Sequence, residues 1–489
     1  MSTIARNTLY LTAASIAQKG ISFVYFTVIA NTIGKGATGD YFLALSITTI
    51  LSVVSDWGLS SVLIREIAKK PEDAVRLTRT TLGLKIPLIV IGALGSVGLA
   101  VILGFESQVV YLVALATLIL AADAISLTFF GVLRGLQNLR YESLGIMIGQ
   151  LITATIGAIS LFLQPALPLL IIALFAGSFW NAIYSATRVA KHLGKKAILP
   201  MIDKVQAWIM LKWSLAFALA SLFVKVYSYV DSIMLSRLLG KEAVGAYAVA
   251  YKVTYAFQFL PMAFVGALYP GLSSLFGQGK RKEAAEVFDN AIWYTLLLAA
   301  PIVFGIASLA DKILPILYPT YSESIVPLTI LIFVLLPLFV DFPIGSLLNA
   351  AHRQATKTAI MGATMVVNII ANAILIPRYG ISGASIAALI SFTFLFLVGL
   401  WFVPKIIPYR FTQLLNHALP ILFSGALMGG VVLLLKSQLH FLLVIGVGAV
   451  TYVTGLILTG SLTREHGRHV LRLIGRKPAA PIVPIDEEV

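Results

Sequence analysis

The chain of 489 residues contains no cysteine, so disulfides and thiolate metal sites are excluded. Charge is scarce too. Only 12% of residues are Asp, Glu, Lys or Arg, against roughly 25% in ordinary soluble domains. With 59% hydrophobic residues and a mean hydropathy of +0.93, this is an integral membrane protein. Long polar segments are also missing: loops between apolar stretches reach about 20 residues on bilayer span lengths, which leaves no room for a soluble domain. No loop holds paired carboxylates, a nucleophile elbow or a metal-ligand cluster, so no enzyme, cofactor or metal is expected. A cleavable leader is not evident either. The first apolar stretch starts near Thr8, is interrupted by Gln18 and Lys19, and runs to about Ala30, which predicts a retained first helix.

What is present is a succession of apolar segments. A bilayer core takes about 20 residues per helix. Fourteen segments meet that measure, centred near residues 19, 52, 92, 120, 153, 177, 222, 258, 299, 337, 367, 393, 426 and 451. Pro261 and Pro301 fall within two of them. A β-barrel would show short alternating segments instead, so the fold class is all-α integral membrane. Net charge is +15, and its placement decides its meaning. Of the 36 basic residues, 26 fall in loops on the side of the termini, Lys85 and Lys357 counted among them. Six fall on the other side, and Lys19, Lys212, Lys225 and Lys252 lie within segments. That asymmetry predicts a cytoplasmic membrane protein with both termini cytoplasmic, and no nucleic-acid role.

Residues 8–50 recur without a gap at 214–256, with 13 identities in 43 positions. The clearest stretch reads IGKGATGDYFLA at 33–44 and LGKEAVGAYAVA at 239–250. Six segments separate the copies, so both run in the same direction, and a parallel pseudo-two-fold repeat is expected. The predicted organisation is an N-terminal lobe at 1–205, a C-terminal lobe at 206–410, two appended helices at 411–462 and a basic cytoplasmic tail at 463–489. Beyond the first two segments of each lobe, the repeat cannot be aligned by eye.

Each copy places a lysine deep in an apolar segment, Lys19 in one and Lys225 in the other. Thr8, Thr12, Ser15, Lys19 and Ser22 step by 4, 3, 4 and 3, which puts them on one helix face. Ser214, Ala218, Ser221, Lys225 and Ser228 match them, and Ser232 continues the row. A lysine at mid-membrane costs roughly 2.5–3.5 kcal/mol on insertion scales, so it needs a cavity or a partner. Under the first reading, Lys19, Lys225, Ser15, Ser22, Ser221 and Ser228 line an anion-binding cavity, which Lys252 joins or snorkels away from. Under the second, the lysines pair structurally with Asp56, Asp123, Asp231 or Asp341. Those four carboxylates are themselves candidates either for structural pairing or for a coupling ion, sodium or proton.

Other motifs carry less. GALGSVG at 92–98 sits in an apolar helix, where close helix packing explains it better than dinucleotide binding. IGKGATG lacks the full phosphate-loop pattern and reads as a tight turn. His466 and His469 stand among basic residues of the tail, which reads as a surface helix touching anionic lipid.

The repeated turn, DWGLSSVLIREIA at 56–68, LGKEAVGAYAVAYK at 239–252 and LIPRYGISGASIAALIS at 375–391 resemble Wzx-type polysaccharide transporters. These belong to the multidrug/oligosaccharidyl-lipid/polysaccharide (MOP) exporter superfamily, and the resemblance covers the whole chain. It implies two six-helix bundles around a central cavity and flipping of an undecaprenyl-pyrophosphate-linked oligosaccharide. It further implies that Lys19 and Lys225 hold the pyrophosphate and that the last two helices form a groove for the lipid tail. Membrane lipids are the expected surroundings, with polysaccharide polymerase and glycosyltransferases as functional partners. The arginine-rich first helix associated with lipid II flippases is absent, so lipid II is not assigned. Two alternatives remain. A drug/cation antiporter would favour carboxylates or aromatics in its cavity, and a membrane glycosyltransferase or polymerase would need a large or acidic loop.

Overall fold

The computed structural model describes residues 3–462, with side chains from residue 12 onward apart from 263–267. The tail at 463–489, with His466 and His469, lies outside the described residues, as does the side chain of Thr8. Among the described residues every regular element is helical. That is what lipid demands of spanning segments, because a helix pairs its backbone polar groups within itself. The elements are α1 (Thr3–Asp56), α2 (Leu59–Lys69), α3 (Ala74–Ile102), α4 (Ser107–Gly135), α5 (Arg140–Leu163) and α6 (Leu167–Leu193). Next come α7 (Lys204–Leu239), α8 (Lys241–Tyr255), α9 (Phe259–Gly277), α10 (Arg281–Leu317), α11 (Ile325–Leu331) and α12 (Leu335–Ala350). Last are α13 (Gln354–Phe402), α14 (Phe411–Leu435) and α15 (Phe441–Leu458).

Eleven described stretches are long and apolar enough to cross a membrane, and they account for the fourteen predicted segments in a specific way. Thr12–Asp56 has 45 residues and Gln354–Lys405 has 52. At 1.5 Å per residue each is more than twice the ~30 Å hydrocarbon core. Each folds back at a glycine with positive φ, Gly34 (φ 78) and Gly380 (φ 58), and so carries two predicted segments. The segment centred near 258 is split into α8 and α9 by a 3₁₀ turn at Ala256–Gln258, just before Pro261. Pro301 lies inside α10 without ending it.

Within the first half, α4 and α5 pack on α6, and α1 packs on α3, α4 and α5. Within the second, α7 packs on α13, and α12 on α9, α10 and α13. α1 bridges the two halves through α7 and α8. α14 lies against α10 and α15. Gly92 of the GALGSVG run sits against Ser55 and Leu51 of α1, the close packing that motif predicts.

The repeated turn closes identically in both copies. Gly34 has φ 78, ψ 175, and Gly240, its counterpart, has φ 88, ψ 179. Their neighbours touch reciprocally. A Cβ on Gly39 would collide with the Lys241 carbonyl, and a Cβ on Gly245 with the Lys35 carbonyl. Residue i meeting j while j′ meets i′ is the signature of an isologous contact. A second recurrence was invisible in the sequence. At the corner after α4, Leu136, Gln137 and Asn138 donate to Val132, Arg134 and Leu133. After α12, Ala351, His352 and Arg353 donate to Leu347, Asn349 and Leu348. Gln137 (φ 56) and His352 (φ 58) take the same left-handed conformation in these two corners.

The charge count needs one correction. Lys85 and Lys357, assigned to loops, lie within α3 and α13. Both pair with carboxylates inside the helix bundle, Lys85 fully buried and Lys357 largely so.

Candidate functional site

α7 places Ser221, Lys225 and Ser228 one helical turn apart on a face that borders two cavities. The first, of ≈320 Å³, lies between α1, α4 and α7. Its polar lining includes Thr48, Ser52, Asp56, Asp123, Ser221 and Lys225. The second, of ≈420 Å³, lies between α7, α8, α12 and α13. Lys225, Ser228, Tyr251, Tyr255, Asp341 and Asn349 are among its lining residues. Lys225 lines both.

The other predicted cations stand nearby without lining either cavity. Lys19 is exposed on α1, with Ser15 and Ser22 half-buried on the same helix. Lys19 lies within electrostatic range of both Lys225 and Lys252. Lys252 is half-buried on α8, its Nζ 5.1 Å from the centre of the Phe26 ring. Such a cation–π contact is worth about 0.5–2 kcal/mol and balances only part of the desolvation. Among the described residues no carboxylate lies within ion-pairing distance of any of these three lysines. Asp123, across the first cavity from Lys225, is the acidic neighbour of this lysine group, so positive charge is in excess there.

The four carboxylates separate into distinct environments. Asp56 is closed in a pair with Lys85 at 2.6 Å, with Ser60 donating at 2.5 Å. Lys85 uses its other donors on Ser60 (2.8 Å) and the Ala124 carbonyl (3.0 Å). Asp341 pairs with Lys357 at 3.3 Å. Asp123 opens into the first cavity, with Lys225 as its charged neighbour. Asp231 is buried, and among the described residues no cation lies within ion-pairing distance of it. Tyr247 donates to it at 2.6 Å and Asn372 at 2.9 Å. Asn368 borders the carboxylate too, and among the described residues Asn372 Oδ1 has no hydrogen-bond partner.

Several of these residues escaped the sequence reading. Asn368 and Asn372 are spaced i, i+4 on an apolar helix, a signal available but ambiguous. Tyr247, Tyr251 and Tyr255 share that spacing on α8, and the tilted rings of Tyr251 and Tyr255 touch with centres 4.3 Å apart. Lys85 and Lys357, the partners of Asp56 and Asp341, were hidden among loop charges.

The family described as polysaccharide biosynthesis protein matches residues 4–276, and the MatE family matches 216–374. The chain is 24% identical to the probable low-salt glycan biosynthesis flippase Agl15 of Haloferax volcanii, over 96% of this chain and 99% of that one. It is 21% identical to the succinoglycan biosynthesis transport protein ExoT of Rhizobium meliloti, over 65% and 63%. Among solved structures, the lipid II flippase MurJ in an inward closed conformation superposes with a TM-score of 0.76 at 16% identity, covering 93% of this chain and 100% of that one. An inward-facing multidrug resistance MATE transporter of the MOP superfamily gives 0.67 at 16% identity, covering 79% and 94%.

Proposed function

The chain belongs to the polysaccharide biosynthesis protein family of the MOP exporter superfamily, and from that premise we propose that it flips a lipid-linked oligosaccharide across the cytoplasmic membrane. Membership of that superfamily makes it a multi-pass transporter and not an enzyme. The observation that carries the cargo assignment is the unpaired lysine cluster centred on Lys225, between two cavities. Such a cluster suits a pyrophosphate and repels a cationic drug. The second cavity adds tyrosine rings and amides, amphipathic surfaces that suit sugars. The named function of Agl15 supports the same reading. An undecaprenyl-pyrophosphate carrier is the finer proposal, its tail remaining in lipid beside α14 and α15.

The mechanism we assign is alternating access between two lobes. Reciprocal contacts around Gly39 and Gly245 support that division. The face bearing Gly34 is shut by cross-half contacts: Lys35 to Glu323 at 2.5 Å, Lys241 to Glu106 at 3.4 Å, and Asn31 to the Leu317 carbonyl at 2.7 Å. The cavities extend toward the opposite, basic face, reaching Gly58 and Asn349. With the basic face cytoplasmic, this arrangement takes up cargo from inside. An inside-negative potential would then favour outward movement of an anion by about 2.3 kcal/mol per charge per 100 mV. We assign a coupling sodium ion or proton to Asp231, a reading supported by its burial and by the amide of Asn372 that donates to it.

The test is surface-glycan export in cells carrying Lys19→Ala, Lys225→Ala or both. Export is expected to collapse in the double variant at unchanged protein level. Normal export there would remove the cavity assignment.

A further inference from the structure

A third cavity, of ≈470 Å³, lies on the basic face, apart from the two that Ser221 and Ser228 border. It is enclosed by the end of α9, the start of α10, the corner between α12 and α13, and the turn after α13. Its charged lining has one sign: Arg281, Arg353 and Lys405, with His352 beside them and no carboxylate. Among the described residues, none of those three cations has a carboxylate within ion-pairing distance. The neighbouring acid, Glu283, is engaged by Lys280 at 3.1 Å. Cations that merely mark a basic face can pair locally, as Arg65 and Lys69 both do with Glu66. Arg281 and Arg353 instead line one hollow, and Lys405, which also lines it, rests its Nζ over the Trp401 ring at 3.2 Å.

The backbone contributes in the same sense. Arg281 is the first residue of α10, and Arg353 is the N-cap of α13. The opening turn of a helix leaves N–H groups unpaired and carries the positive end of the helix dipole. Two long helices therefore begin at the rim of one cavity, and anions are bound in that setting. Asn349 lines both this cavity and the aromatic one that Lys225 borders, so the two adjoin.

We propose that this hollow is a second anion site, taking a phosphate or diphosphate group on the basic face next to the central cavity. The group arrives either free or as the headgroup of an anionic lipid. The site does not depend on what the central lysines bind.

The experiment uses the purified full-length chain in a Lys19→Ala, Lys225→Ala, Lys252→Ala background, which disables the central cations. Inorganic pyrophosphate is titrated calorimetrically. In parallel, nanodiscs of phosphatidylcholine with or without phosphatidylglycerol are analysed by native mass spectrometry for retained lipid. Adding Arg281→Gln and Arg353→Gln is expected to weaken pyrophosphate binding by about tenfold or more, the scale of lost charge-assisted bonds. If the source is lipid, the same change removes retained phosphatidylglycerol while pyrophosphate shows no binding to either protein. Arg281→Lys with Arg353→Lys keeps the charge and guards against misfolding, and it should retain part of the affinity at an unchanged melting temperature. Equal behaviour of the Gln variant and its parent toward both probes would overturn the proposal.

Discussion

At the scale of single residues, the buried charges fall into two groups that behave differently when altered. Asp56 and Lys85 form a closed pair, with the lysine side chain 1% exposed. Removing one partner of a buried pair typically costs about 3–5 kcal/mol, because the other charge is left uncompensated. Lys85→Met should therefore lower the melting temperature in detergent, and adding Asp56→Asn should restore most of the loss. Equal stability of Lys85→Met and the parent would show that the pair contributes nothing. Lys225 has no such closed partner, and a Lys225→Ala variant should keep its melting temperature while losing transport. Lys19→Ala should have the smaller effect, since Lys19 lines neither cavity. The lysines were legible because a charge inside an apolar run is conspicuous. Asn368 and Asn372 were not, because an amide in a helix is ordinary until a buried carboxylate is placed beside it. Lys85 was misread because composition cannot distinguish a lysine at a helix end that reaches water from one that turns inward.

At the scale of elements, close backbone approach at the Gly34 face depends on two glycines. A side chain at Gly39 or Gly245 would meet a carbonyl of the opposite copy. Gly39→Val and Gly245→Val should each prevent full closure of that face. Because the chain has no cysteine, a single Thr38→Cys, buried in the parent, reports on this directly. Its labelling by a membrane-impermeant thiol reagent should rise several-fold in either valine variant and stay low without them. Unchanged labelling would show that the glycines are tolerant of bulk. The repeat that leads to these residues was legible in one turn, where identities survive. The matching corners at Gln137 and His352 share backbone hydrogen bonds and a left-handed residue but little sequence, because that geometry is set by the backbone and accepts many side chains.

At the scale of the whole molecule, fourteen segments and a basic face followed from length and charge, since bilayer thickness and the cost of exposed backbone leave few options. How the halves meet did not follow, because a cross-half pair such as Lys35 and Glu323 links positions that no local pattern joins. Alternating access requires that pair to separate. A Lys35→Cys, Glu323→Cys variant should form a crosslink that stops transport, with reduction restoring it; full transport by the crosslinked protein would argue against movement at this face. The central claim is that an unpaired lysine cluster carries the diphosphate of a lipid-linked glycan. It is tested most directly in proteoliposomes, by following translocation of a prenyl-diphosphate-linked sugar by the parent and by the Lys19→Ala, Lys225→Ala variant at equal reconstitution. The prediction is translocation by the parent and a loss of about tenfold or more in the variant, the scale expected when a charge partner is removed. Equal rates for the two proteins would contradict it.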